Sequence, residues 1–226
     1  YAKNLITGSD LGTVDSTSWR AQFLYTPTEN TDVRFVVDGS DSKANMLEGE
    51  PLPPIGDSVP YTSFENFDPV VKKEGEGAAL TVEHQFDSGF TLTSITSWRE
   101  NSVDVVRDTD HTADEVLGQT FESNQENISQ EIRIASPAGQ QFDYVAGLYY
   151  FDQKFFNNEL FDVGPDLAGA ALAGDGAVAA EHNLTSTSYA AFVHSNFHIS
   201  EVTTAFAGLR YTSEDQSNDS QASGTP

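Results

Sequence analysis

The 226-residue chain has no cysteine, a single methionine and only 11 Lys and Arg against 35 Asp and Glu. Without cysteine there are no disulfides, thiolate metal sites or cysteine nucleophiles. The shortage of basic residues leaves a formal charge of −24, which excludes nucleic acid as a partner because phosphate contacts require Lys and Arg. Such a field repels anions and attracts cations. No run of 18 apolar residues occurs, so no transmembrane helix is expected. A Gly-rich phosphate loop, HExxH and GxSxG are all missing. Neighbouring acids are too frequent in so acidic a chain to mark a glycosidase pair. No enzymatic activity and no cofactor are expected.

What the chain does have is aromatic residues in alternating runs. Fifteen Phe and eight Tyr suit pleated surfaces and bilayer interfaces. In the stretch Ser123–Phe156, Ile128, Ile132 and Ile134 share a parity with Gln130, whereas Ser129, Glu131 and Arg133 share the other. This period of two is the mark of a strand with one apolar and one polar face. Pro137, Ala138 and Gly139 interrupt it, and Tyr144, Ala146, Leu148 and Tyr150 resume it, giving a hairpin. Both arms exceed the roughly 9 to 11 residues that cross a bilayer when tilted.

The same reading along the chain predicts eight strands at about 18–26, 32–41, 75–86, 90–105, 123–136, 142–156, 183–198 and 203–215. Residues 1–17 lack a period and read as the end of a loop. Residues 42–74 hold five of the nine prolines and read as an irregular connection. A short helix is predicted over 166–173, weakened by Gly169. The connections at Pro27, Asp87, Pro137 and Ile199 are short, and those at Ser42, Val106, Asn157 and Gln216 are long. In an up-and-down meander this places tight turns on one rim and extended loops on the other, as in outer-membrane barrels. The fold class expected is an all-β, antiparallel up-and-down transmembrane β-barrel, here eight strands in four hairpins. The chain opens on Tyr1 without a leader pattern and ends in polar QSNDSQASGTP, so it reads as a fragment at both ends. A small autonomous outer-membrane barrel acting as adhesin or structural protein, and a secreted carbohydrate-binding β-sandwich, are the rival readings.

Several phrases then resemble a known family. TLTSITSWRE (Thr91–Glu100), NISQEIRIASPAGQQFDYVAGLYYFDQ (Asn127–Gln153), TSYAAFVHSNFHISE (Thr187–Glu201) and FAGLRYTSED (Phe206–Asp215) are similar to the barrel of TonB-dependent outer-membrane receptors of Gram-negative bacteria, especially the sphingomonad-like and caulobacter-like set. The resemblance implies a 22-stranded barrel of which residues 1–226 are about one third, with the plug domain absent from this stretch. It also implies uptake of a scarce nutrient such as a ferric siderophore, haem, cobalamin or a glycan, energised by the TonB complex through the plug. Outer-membrane lipids, an extracellular small-molecule or glycan substrate and a surface lipoprotein over the long loops are the partners implied.

Candidate site residues follow from chemistry. Glu131, Arg133 and Arg210 on the polar parity would contact an anionic ligand or form ion pairs on the lumen wall. The loop aromatics Tyr61, Phe64, Phe67 and Phe161 would stack on a sugar or siderophore, or pack their own loops. Asp108, Asp110 and Asp114 crowd carboxylates as hard-cation sites do, but lack the EF-hand spacing, so a solvated acidic loop is the competing account. His194 and His198 share a strand face about 13 Å apart, too far to chelate one ion.

Overall fold

The computed structural model describes residues 2–46, 49, 59–168 and 176–225. Two short strands, β1 (Ala2–Asn4) and β2 (Asp10–Leu11), precede β3 (Thr13–Thr28) and β4 (Thr31–Asn45). The short β5 (Thr62–Ser63) leads to β6 (Val70–Gln85), β7 (Thr91–Asp108), β8 (Leu117–Ala135) and β9 (Phe142–Val163). A single helical turn, α1 (Pro165–Ala168), is followed by β10 (Gly176–Ser200) and β11 (Thr203–Thr225). The remainder of the helix expected to Ala173 lies outside the described residues. The eight long strands pair antiparallel in chain order from β3 to β11, while β1, β2 and β5 form a separate small sheet. Residues expected to be an unpaired N-terminal loop therefore carry β1, β2 and the start of β3. Their hydrogen bonds reach β5 and β4 across long sequence separations, which no local period reveals.

Local chemistry fixes the turns. Gly89 and Gly139 supply positive φ (84° and 80°) in the turns after β6 and β8. Thr28 accepts the Asn30 N–H through Oγ1 in the turn after β3. All four tight turns lie on one rim, and the described parts of the connections 46–69, 109–116 and 164–175 lie on the other.

Register determines the faces. One row across the sheet reads Tyr25, Val33, Val82, Ser94, Ile132, Leu148, Ala191 and Tyr211. The adjacent row on the opposite face reads Asp32, Glu83, Thr93, Arg133, Gly147, Phe192 and Arg210. Most side chains on one face are thus apolar and most on the other polar, with Ser94 and Phe192 among the exceptions. The apolar band extends from the row of Phe142 and Phe197 to the row of Trp98 and Ile128, about 33 Å along the strands or about 25 Å at a tilt near 40°. Aromatics border it at both margins. On the turn side the Tyr144 ring lies 6.5 Å from Phe90 and 5.9 Å from Phe142. On the loop side Tyr150 and Tyr189 stand 5.1 Å apart. There Trp98 Nε1 donates to Glu126 Oε1 at 3.1 Å, one row beyond the band. The next row carries Glu76, Glu100, Glu126 and Lys154, so the apolar face stops abruptly.

At the turn rim the strands end within two residues of the positions that alternation indicates, but at the loop rim they continue three to ten residues farther, as with Gly176 rather than Asn183 for β10. Past the band both faces meet water, so the alternation that marks a strand fades while backbone pairing continues. The polar end at Gln216, expected to be a loop, is part of β11 for the same reason.

A candidate lumen wall and a loop rim

The polar face is not uniformly charged. Odd-numbered residues of β9 point toward it, and these include Tyr149, Phe151, Phe155 and Phe161. Phe161 was expected in a loop; it belongs to β9, opposite Gln119 and Val178. Gly147 leaves a gap in this strip, and the Phe192 ring from β10 lies across it. A Cβ at Gly147 would stand 2.5 Å from Phe192 Cζ. The Arg210 guanidinium sits 5.5 Å from the Tyr149 ring centre and 5.8 Å from that of Phe192, within cation–π range. Glu131 and Arg133 form an ion pair at 3.4 Å on the neighbouring strand. The fold therefore brings Glu131, Arg133 and Arg210 onto one patch of wall, with Arg133, Gly147, Phe192 and Arg210 in a single row. The patch pairs exposed positive charge with aromatic faces, which suits a planar or anionic guest.

Farther along the same face, Arg107 Nε donates to Gln119, and Gln119 Nε2 donates to Glu159. Arg99 reaches over β6 to Asp38 at 2.7 Å. It can do so because Gly77 lies between them, where a Cβ would meet Arg99 Nη2 at 2.8 Å. Gly77→Val is expected to turn Arg99 away from Asp38. The pair is partly exposed, so breaking it should lower stability by only about 0.2–1 kcal/mol in urea unfolding. A larger loss that Arg99→Gln fails to reproduce would show that Gly77 serves strand packing instead.

The loop rim holds the most deeply buried polar cluster among the described residues. Asn4, Leu11, Ser63 and Glu65 are fully buried, and Asp108 is 1% exposed. Asp108 Oδ1 accepts the N–H groups of Asp110 and His111, and its Oδ2 accepts that of Asn66, each at 3.1 Å. Asp110 Oδ1 accepts the Thr112 N–H at 3.0 Å and its Oδ2 the Leu117 N–H at 2.8 Å. Asp114 offers its backbone carbonyl to Asn66 Nδ2 at 3.4 Å. The carboxylates of Asp108 and Asp110 thus order the loop through backbone amides, and no set of three His, Asp or Glu able to hold a metal occurs among the described residues. Burial pushes the Asp108 carboxyl up to about 6 from 3.8; the Asp110 charge adds to this, and the three backbone N–H groups oppose it. Glu65 Oε1 meets His111 Nδ1 at 2.9 Å.

Of the loop aromatics, Tyr61 is exposed with φ of 63°, and Phe64 is half-buried. Phe67 borders a cleft of about 480 Å³ with Val106, Leu117, Gly118 and Val163, a size that admits a small ligand. These three do not share the wall patch of Arg210, because β5 and its connection fold onto the rim. Glycine inside a strand was a readable sign of Gly77 and Gly147. Glu65 and His111, 46 residues apart, left none. Among the described residues no helix is long and apolar enough to cross a membrane.

A meandering eight-stranded sheet with an apolar band, two aromatic margins and one rim of long connections has the fold of a transmembrane β-barrel wall. The solved structures it matches are of that kind. The ferric yersiniabactin uptake receptor FyuA from Yersinia pestis aligns with 99% of the chain at 16% identity and a TM-score of 0.74, over 36% of its own length. The ferric citrate transporter FecA aligns with 92% at 13% identity and a TM-score of 0.53, over 33% of its length. The siderophore receptor PiuA from Acinetobacter baumannii aligns with 95% at 11% identity and a TM-score of 0.53, over 41% of its length. The chain thus spans roughly a third of the structures it matches, and the likeness is one of fold. No protein-family model matches the sequence.

Proposed function

We propose that residues 1–226 form part of the barrel of a TonB-dependent receptor in the outer membrane of a Gram-negative bacterium, and that the whole protein takes up a scarce nutrient. The observation that carries this reading is the two-faced sheet. An apolar band about 25 Å tall would be an exposed hydrophobic surface in water but matches hydrocarbon, with lipids as its partner. The opposite face would line an aqueous lumen, with Glu131, Arg133 and Arg210 on its wall and Tyr61, Phe64 and Phe67 at its loop rim. The aromatic strip ending at Phe161 would stack on the passing ligand. The siderophore receptors of like fold favour an iron chelate over haem, cobalamin or a glycan as substrate. The plug domain that contacts the TonB complex would come from sequence outside these residues, and a surface lipoprotein would bind over the long connections. The resemblance noted in the sequence points to a sphingomonad-like or caulobacter-like origin.

An eight-stranded sheet whose apolar face stays uncovered among the described residues speaks against a β-sandwich, in which two sheets hide such faces from water. An order running from β3 to β11 without pairing between those ends speaks against a closed eight-stranded barrel. The reading is tested by growth of a strain lacking the gene on single iron or carbon sources. Loss of growth on one chelated iron source, restored by the intact gene but not by one lacking the TonB-contacting segment, is expected. Unchanged growth on every source would overturn it.

A further inference from the structure

Glu65 is a buried carboxylate with one partner. Its side chain is 0% exposed, Oε1 meets His111 Nδ1, and Oε2 is buried without a hydrogen-bond partner among the described residues. A buried carboxylate is costly unless it is paired, and the His111 ring supplies the partner of Oε1. His111 is itself held in the left-handed region at φ 56°, an unfavourable conformation for a non-glycine residue. Its N–H is fixed by Asp108 Oδ1, and its ring packs against Gly49. Asp108 in turn anchors Asn66, the residue after Glu65. From the N-terminal segment, Asn4 Nδ2 donates to the Glu65 carbonyl at 2.9 Å and to Asp68 Oδ1 at 3.0 Å. On the far side, Asp166 Oδ2 accepts the Glu115 N–H at 2.8 Å. Four segments of the rim are thus linked through this cluster.

We propose that Glu65, His111 and Asp108 form a proton-dependent clasp that ties the connection after β4 to the connection after β7 and holds the rim most tightly in mild acid. Among the described residues, the other charged groups joined to it are Asp68, through Asn4, and Asp110, whose charge acts on Asp108. Among the described residues no Lys or Arg forms an ion pair with any of them. A proton gained at Asp108 therefore relieves an unbalanced negative charge. Its folded pKa of about 6 lies above the ordinary 3.8, so the clasped rim binds a proton more tightly than the opened one. That contribution is complete below about pH 4 and is lost as pH rises through about 6. If the receptor reading holds, the loosened connections stand at the ligand entrance; the clasp itself does not depend on that reading.

The test is amide exchange read by mass spectrometry on the full-length protein in outer-membrane vesicles, corrected for intrinsic rates, from pH 5 to pH 8. Protection of residues 60–69 and 109–117 is expected to fall about tenfold or more with rising pH, the scale set by tenfold per pKa unit. Peptides from the middle of β8 should not change. Asp108→Asn keeps an oxygen for the Asp110 and His111 amides and should flatten the acidic part of the profile. His111→Asn tolerates the positive φ but removes the Glu65 partner, and should lower protection of both segments while keeping the pH slope. Constant protection in the wild type overturns the clasp, as does a slope preserved in Asp108→Asn. If Asp108→Asn leaves the rim unprotected at every pH, lowered protection with the slope kept in His111→Asn supports the clasp, and unchanged protection there overturns it. A pH-dependent rim in a strain with no uptake defect would sink the receptor reading and leave the clasp standing.

Discussion

Replacing Leu148 with Arg is expected to destabilise the membrane-inserted protein by about 2–4 kcal/mol, the cost of a guanidinium near the bilayer midplane on a barrel's lipid face. Leu148 is 64% exposed in the middle of the apolar band, between Ile132 and Ala191 in its row. Gln22→Arg, on the opposite face of β3, adds the same charge where water is available and should cost almost nothing. Urea unfolding in lipid vesicles measures both. Equal costs would mean that the two faces meet the same solvent, and the lumen and lipid assignments would fall together.

Gly147→Val should have the second largest effect. The new Cβ would stand 2.5 Å from Phe192 Cζ and 3.0 Å from the Ile132 carbonyl oxygen. The ring can rotate away, but the backbone oxygen of the paired strand has little freedom. Overpacking of this kind costs roughly 1–3 kcal/mol. Displacing Phe192 also takes one of two aromatic faces from Arg210, so that guanidinium should react faster with phenylglyoxal. Adding Phe192→Ala makes room and should recover part of the stability lost. Strictly additive effects of the two substitutions would refute the close packing of Phe192 over Gly147.

The residues that could be read in advance share one property: each sits where a single face meets an apolar medium. Ile128, Ile132, Ile134, Leu148 and Tyr150 alternate because each neighbour along the chain points into a different environment. The turns at Gly89 and Gly139 were legible because a positive φ demands glycine. Where β9 and β10 rise beyond Trp98 and Glu126, hydropathy no longer alternates, and the sequence reads as loop although the ladder continues. The aromatic strip of Tyr149, Phe151, Phe155 and Phe161 was obscured for a related reason. Apolar residues on the polar face break the alternation, and only the register with β8 and β10 shows which way they point.

Spacing in the sequence by itself determined the number of long strands, their antiparallel order and the separation of tight turns from long connections, since these depend on period and local backbone preference. Only the tertiary structure decided that Glu65 meets His111, that Arg210 rests on Tyr149 and Phe192, and that Asp108 and Asp110 organise backbone amides. The Glu65–His111, Arg210–Tyr149 and Asp108–Asn66 contacts join residues far apart in the chain, and their energies depend on burial, which arises only once the strands have paired and the connections have folded over their ends.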